Sequence, residues 1–381
     1  MSAFSHRTPA CTAILRDGAI AEIPVHLKAW GVHKPALIAG SSVRQTAFYR
    51  QIHDALPPQA LRDWPAVPAH SSAAWVQQAV AMAKQHGVDG FVSVGGGSAI
   101  DSAKACALLM AEGGALADHA IHFTPPDQLK APVLMAPKLP ILAVVVTASG
   151  SESTPSLGVS NDQGKKWLFS DPQLCPRLVL MDPVANLEVP AALMMSTGMN
   201  ALAHAIEGLY SATRTPVTDA LALEAIHRLP QALCHVHDHP EDEQGRSALL
   251  EAAHLAGLVI ANARTCLHHA MCHAIGAYCG VSHGDANSVM LPHVMAYNRP
   301  AAEQELHRGA QAWGVKDDDW IAAIQDLQQR IGVPTRLRDL GVSRQDLPAV
   351  ARKTMGERGL YFNPRRVKDE GEIMDLLSQA Y

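Results

Sequence analysis

No stretch of about 18 consecutive apolar residues occurs in the chain, so the sequence signature of a bilayer-spanning helix is absent. The opening MSAFSHRTPACTAILRDG carries no apolar core of the kind that marks a secretory signal. Basic charge is not in excess: 31 Lys and Arg stand against 36 Asp and Glu, a net charge of −5. This excludes the positive field that nucleic-acid binding requires. The seven cysteines are odd in number and scattered, unlike the paired spacing of a secreted disulfide scaffold, and are expected to be reduced thiols. These absences predict a soluble, cytoplasmic protein with neither nucleic-acid nor membrane partners.

What the chain does contain is enough apolar material for more than one core. At 381 residues, 48% hydrophobic and 18% charged, it exceeds the size at which one core stops growing, and two domains are expected. Short apolar runs bounded by Gly and Pro read as buried strands: PALIAG (35–40), GFVSVGGG (90–97), ILAVVVTASG (141–150) and PRLVLMDP (176–183). Between the first two, SSAAWVQQAVAMAKQHG (71–87) has helical spacing, Ser at the N-cap and Gly after the end. Strands alternating with helices imply a parallel sheet. After about residue 190 the strand-like runs vanish, and helical stretches follow, among them 217–236, 246–279 and 318–331. The predicted fold is an α/β dinucleotide-binding domain over residues 1–186 and an all-helical catalytic and substrate domain over 187–381, with Pro183 and Pro190 at the boundary. A cleft between two such domains is the expected place for a site.

The segment GGGSAIDSAK (95–104) follows a strand and opens a helix. In that context a Gly-rich turn lets a pyrophosphate approach backbone N–H groups at the positive end of the helix. Gly95, Gly96, Gly97, Ser98 and Asp101 are the cofactor-contact candidates, although their spacing is not GxGxxG. The alternative is a capping box between Ser98 and Asp101, with glycines that merely turn the chain. Three successive glycines cost chain entropy that a turn does not require. A second segment, TASGSESTP (147–155), leaves its strand in the same manner. Thr147, Ser149 and Ser151 then stand at the ligand-binding edge of the sheet, unless they form an ordinary Ser/Thr loop.

Twenty histidines are the compositional oddity. His235, His237 and His239 lie in a polar stretch and read as a solvated helix end. Others have ligand-like spacing: MNALAHAIEG (199–208) sets Asn200 and His204 four apart, and CLHHAMCHAIGAYCGVSHGDANSVMLPH (266–293) sets His269 and His273 four apart, with His283 ten residues on. Hydrogen-bonded packing is the plainer alternative. Asn is a neutral, weak ligand where a carboxylate would be expected.

These residues resemble a known family. GGGSxxDxxK, the GSE segment, TGMNALAHAIE, and HxxxH followed by SHGDANSVMLPH are similar to the iron-containing, group III alcohol dehydrogenases over nearly the whole chain. The resemblance implies a dehydroquinate synthase-like architecture, NAD(P)-linked hydride transfer, and a homodimer in which the leading twelve or so residues form an edge strand. In that family an Asp and three His hold iron or zinc, and the matching positions here are Asn200, His204, His269 and His283. His273 matches a pocket histidine, and Lys166 a position near the nucleotide. TGMNALAHAIE and LHHAMCH look most like the maleylacetate reductases, which carry Asn in place of the Asp, and TASGSE is short as in those enzymes. SHGDAN instead resembles the metal-dependent branch.

Two catalytic readings follow from the resemblance. In one, NAD(P)H reduces maleylacetate to 3-oxoadipate in the breakdown of aromatic compounds, protonated histidines among His204, His269, His273 and His283 bind the carboxylates of the substrate, and His273 donates the proton. In the other, an iron- or zinc-dependent alcohol dehydrogenase or aldehyde reductase uses Asn200 as a ligand through its amide oxygen. A non-catalytic or sugar-phosphate-binding role on the same architecture is the third. Arg264, read as one helical turn before His268 and His269, is either a carboxylate clamp or a surface ion-pair residue. Gly40, Ser41 and Ser42 follow the strand PALIA where an acidic residue would exclude a 2′-phosphate, so both NADH and NADPH are expected to bind. Arg44 is either a phosphate contact or an exposed helix residue.

Overall fold

The computed structural model describes residues 4–68, 71–125, 128–161, 166–316 and 319–381. They divide into two compact units, one of Thr8–His122 with Lys130–Val189, the other of Pro190–Tyr381 with the described parts of residues 1–7 and 123–129. In chain order the strands are β1 (Thr12–Leu15), β2 (Pro35–Ala39), β3 (Gly90–Gly95), β4 (His122–Thr124), β5 (Gln128–Lys130), β6 (Ile141–Val145), β7 (Ser156–Ser160), β8 (Lys166–Ser170) and β9 (Leu178–Met181). The helices are α1 (Ile23–Ala29), α2 (Ala47–Ala55), α3 (Ala73–His86), α4 (Gly97–Glu112), α5 (Pro183–Asn186), α6 (Ala191–Tyr210), α7 (Pro216–Asp238), α8 (Glu243–Ile260), α9 (Leu267–Cys279), α10 (His283–Asn298), α11 (Glu303–Trp313), α12 (Trp320–Ile331), α13 (Leu347–Met355) and α14 (Glu370–Gln379). None of the described helices is long and apolar enough to cross a membrane.

In the α/β unit, five strands form a sheet in the order β1-β9-β6-β3-β2, every neighbouring pair parallel. The four runs predicted as strands are β2, β3, β6 and β9. Each is buried along its whole length, the mark of a parallel strand covered on both faces. The edge strand at the chain start is β1, which begins only at Thr12 and pairs with β9, so residues 4–11, expected to be that strand, are not part of it. Helix α3 has the predicted ends: the Ser72 side chain accepts the Trp75 N–H, and Gly87 closes it at φ +67°. Sequence pattern missed the antiparallel hairpin of β7 and β8, because SLGVS reads as a Ser/Gly loop. Leu157, Val159 and Phe169 nevertheless enter the core beneath α3 and α4. All seven cysteines are free thiols.

Sheet register places the two small-residue segments. Gly95 of β3 stands beside Val145 of β6, so the chains leaving these strands run side by side. Lys104, two turns into α4 from the glycines and given no role by the sequence reading, fixes the second segment. Its buried ammonium donates to the carbonyls of Ser151 (2.7 Å), Thr154 (2.8 Å) and Ser156 (3.0 Å). Burial pulls the Lys104 pKa down, and the charge of Asp101 works against that.

In the other unit, α6 is the centre. It is apolar nearly all round, with 16 of its residues buried, and packs against α7, α8 and α10. Asn200, His204 and Glu207 are therefore carried into the interior. The stretch 246–279, expected to be helical throughout, is two helices, α8 and α9, separated by residues 261–266. The break has a tertiary cause: Glu207 Oε1 accepts the N–H groups of Cys266 (3.0 Å) and His268 (2.9 Å), and Thr213 Oγ1 accepts that of Arg264 (2.8 Å). Acceptors from elsewhere replace the carbonyls of the preceding turn, so a new helix starts. Arg264 thus lies in the connection, not one helical turn before His268. Helices α9, α10, α13 and α14 share the remaining core.

Replacing Lys104 by Met removes the ammonium that donates to three carbonyls. Urea denaturation of Lys104→Met is expected to show a loss of about 2–4 kcal/mol. A loss below about 0.5 kcal/mol would mean that solvent satisfies those carbonyls.

Candidate active site

The glycine segment is shaped for close approach. Gly95 has φ +149°, a conformation that side chains avoid. Gly96 is the N-cap of α4, and a Cβ there would fall 2.6 Å from Thr147 Oγ1; one on Gly97 would fall 3.0 Å from Ser151 Oγ and 3.9 Å from Ser149 Oγ. The start of α4 thus faces the three hydroxyls named from sequence. Thr147 Oγ1 is buried and has no hydrogen-bond partner among the described residues, as expected of a group that waits for a ligand. The capping box is not formed: the N-cap is Gly96, Ser98 lies inside the helix, and Asp101 Oδ2 instead accepts the Gly158 N–H at 3.0 Å. Burial raises the Asp101 pKa, opposed by Lys104 and Lys166. Asp101 therefore fastens β7 to α4. Lys166 opens β8 with its side chain against Gly158. Arg44 is not an exposed helix residue. It is half-buried in a short 3-10 turn, donates to the Trp64 carbonyl (2.8 Å), and has buried Nε and Nη2 atoms without partners among the described residues.

The histidine group assembles within the helical unit. Ring centroids of His204 and His269 are 4.6 Å apart and stacked, His269 and His283 5.5 Å, and His273 and His283 5.4 Å and stacked. Asn200 Oδ1 lies 3.2 Å from His269 Nε2. The four histidines and Asn200 named from sequence are therefore neighbours. Two glutamates that the sequence reading passed over complete the group. Glu207 Oε2 receives His269 Nδ1, and Glu357 Oε2 lies 3.4 Å from His273 Nδ1. Glu207 stood in the quoted stretch MNALAHAIEG, three residues past His204 on one helix face, and that spacing was the available signal. Nothing local marks Glu357. His235 pairs with Asp242 (2.6 Å) at the exposed end of α7, the expected solvated helix end.

Burial decides the charges. It pushes His204 well below the usual imidazole range, and the neighbouring rings of His269, His268 and His273 push the same way. His268 is lowered by burial too, against the pull of Glu207. His204 is therefore a neutral imidazole at neutral pH, which corrects the expectation that it is a positive carboxylate anchor. Burial pushes Glu207 up to about 7, opposed by His268 and by the N–H groups that start α9.

Asn200 Oδ1 and nitrogens of His204, His269 and His283 fit a divalent ion of borderline softness such as iron or zinc. His204 Nδ1 is buried and unpartnered among the described residues, and a carboxylate behind His269 Nδ1 leaves Nε2 turned to the group, as in histidines that bind metal. The set carries no negative charge of its own. A second trio, Glu207, His268 and His269, has ligand atoms within 4.8 Å of one another. There Glu207 Oε1 is taken by backbone N–H groups and His268 Nε2 by the Asn287 carbonyl (2.9 Å), so the trio holds the helix start together and is not an open coordination set.

Gly96→Ala inserts a methyl group against Thr147 and is expected to raise the nicotinamide KM by about 10-fold or more at little cost to the melting temperature; an unmoved KM would remove the glycine turn from cofactor binding. Glu207→Gln keeps an acceptor for the α9 N–H groups but turns an amide N–H toward His269 Nδ1, and kcat is expected to fall about 10- to 100-fold. Its stability effect has a defined pH sign. With its pKa raised from the ordinary 4.5 to about 7, Glu207 contributes stability that is full below 4.5 and lost as pH rises through 7. The destabilisation caused by Glu207→Gln should therefore shrink between about pH 5.5 and 8.5 in urea titrations. A constant difference would mean that Glu207 keeps one charge state throughout.

Residues 11–183 match the iron-containing alcohol dehydrogenase family, and residues 194–381 match the C-terminal part of the Fe-containing alcohol dehydrogenases. The chain is 31% identical over 381 residues to maleylacetate reductase of Burkholderia cepacia, covering 100% of this chain and 98% of that protein. Against the NAD-dependent methanol dehydrogenase of Bacillus methanolicus it is 28% identical over 377 residues, 95% of this chain and 97% of the other. The crystal structure of maleylacetate reductase from Agrobacterium tumefaciens superimposes with a TM-score of 0.83 at 27% identity, covering 100% of this chain and 99% of that one. With both units matched, the chain belongs to the iron-containing alcohol dehydrogenase family and is an NAD(P)-dependent oxidoreductase.

Proposed function

We propose that the protein is an NAD(P)H-dependent reductase of maleylacetate or a close dicarboxylate relative. The observation that carries this reading is a cluster of imidazoles, oriented by buried Glu207, in which the amide of Asn200 stands where the family has a carboxylate. The full-length likeness to maleylacetate reductases supports it. Hydride from the nicotinamide adds to the alkene carbon distal to the ketone, and the electron pair moves onto the ketone oxygen as an enolate. A proton from an imidazole then goes to the carbon next to the carbonyl, giving the saturated keto diacid and oxidised cofactor. His273 is our proton donor, because its ring retains solvent access, at 21%, through which a proton can be resupplied. His204, neutral by burial, offers a hydrogen bond to the enolate oxygen without a charge to desolvate. Gly40, Ser41 and Ser42 leave room for either nicotinamide.

A second reading, a metal-dependent alcohol dehydrogenase or aldehyde reductase, is favoured by the carboxylate behind His269 and the unpartnered His204 Nδ1. In it Asn200, His204, His269 and His283 hold the ion, which supplies Lewis-acid polarisation of the carbonyl.

Metal content of the purified protein, with NADH and NADPH oxidation by maleylacetate before and after chelator, separates the two. The first reading expects sub-stoichiometric metal and chelator-resistant turnover. Stoichiometric iron or zinc, with turnover abolished by chelator, would contradict it. Asn200→Asp restores a charged ligand and is expected to tighten zinc binding by about 10-fold or more, as titration with a competing chelator reports.

A further inference from the structure

A dicarboxylate substrate needs permanent positive charge. It is available nearby. Arg264 lies in the connection before α9, its N–H held by Thr213 Oγ1 (2.8 Å). Arg358 opens a 3-10 turn, Arg358–Phe362, that is clamped onto the start of α9: a Cβ on Gly359 would fall 2.5 Å from the Cys266 carbonyl oxygen, and Cys266 Sγ donates to the Phe362 carbonyl at 3.2 Å. This contact brings the turn that Arg358 opens against the segment that follows Arg264, and both arginines are half-buried. Neither guanidinium has a hydrogen bond or ion pair among the described residues; the adjacent Glu357 carboxylate lies 3.4 Å from His273 Nδ1, and its charge also acts on Arg358.

We propose that Arg264 and Arg358 form a two-guanidinium subsite that binds a carboxylate of the substrate beside the histidine group. Arg264 stands two residues before the N-cap of the helix that carries His269, and Arg358 one residue after the glutamate that touches His273. Two like charges held together in partial burial repel, and a dianionic ligand relieves both repulsion and desolvation. Each planar fork matches a carboxylate with two parallel hydrogen bonds. The strain has a visible counterpart: burial, then the charge of Arg264, lower the Arg358 pKa to about 10, which still leaves it cationic at neutral pH. Burial lowers that of Arg264 also.

This inference rests on the dicarboxylate reading above, and its test uses binding as well as turnover. Arg264→Gln and Arg358→Gln are each expected to raise the maleylacetate KM about 10- to 100-fold, with kcat changed less than about 3-fold. Calorimetry with 3-oxoadipate should show a matching loss of affinity. Arg358→Lys should recover part of it, which separates loss of charge from loss of fold. Unmoved KM and unmoved 3-oxoadipate affinity in both Gln variants would overturn the subsite and leave the reductase reading standing. Binding of 3-oxoadipate that disappears in both variants, in a protein that does not turn over maleylacetate, would support the subsite and discard that reading.

Discussion

The site depends on one buried carboxylate. Glu207 sits at zero exposure on α6 and meets three separate demands: its Oε1 accepts the N–H groups that begin α9, its Oε2 takes His269 Nδ1, and the start it gives α9 ends the run of helix that began at α8. Burying an ionisable group without such partners would be strongly unfavourable. With them it is tolerated, although burial still raises its proton affinity against their pull. Helix start and histidine orientation are therefore one interaction, so neither can drift without the other. The 3-10 turn of Arg358 is set against that same helix start.

Charge is distributed by burial more than by residue type. A group of five histidines suggests a positive pocket, yet burial lowers the pKa of both His204 and His268, and neighbouring rings, His273 among them, push the same way. Neutral imidazoles serve as metal ligands or hydrogen-bond partners, and the permanent positive charge falls to guanidinium groups, whose high intrinsic pKa survives partial burial. In the α/β unit the same logic is inverted. Lys104 is buried, donates to three carbonyls, and acts as a fastener for the loop whose hydroxyls face the start of α4.

Much of the fold was legible where local pattern and final environment agree. Continuous apolar runs became fully buried parallel strands, and Ser72 and Gly87 bound α3 as caps because capping chemistry is local. The glycine turn and the hydroxyl segment were readable because each follows a strand, and the register of β3 with β6 then sets them side by side. What could not be read has a long-range cause. The gap between α8 and α9 is made by an acceptor 59 residues earlier in the chain. Asp101 looked like a cap because its partner, the Gly158 N–H, is 57 residues away. Arg264 looked like a neighbour of His268 on one helix because periodicity carries no sign of a carboxylate arriving from another helix. The Asn200 substitution, by contrast, was plain from sequence.

The account makes Glu207 the acceptor of the His269 Nδ1 proton, and this can be observed directly. Long-range nitrogen–proton correlation NMR of 15N-histidine protein, with His269 assigned by substitution, reports which ring nitrogen is protonated. A proton on Nδ1 is predicted at about pH 8.5, where the Glu207 carboxylate is ionised. An unprotonated Nδ1, with the proton on Nε2 alone, would contradict it and leave Glu207 as a helix cap without a part in the chemistry.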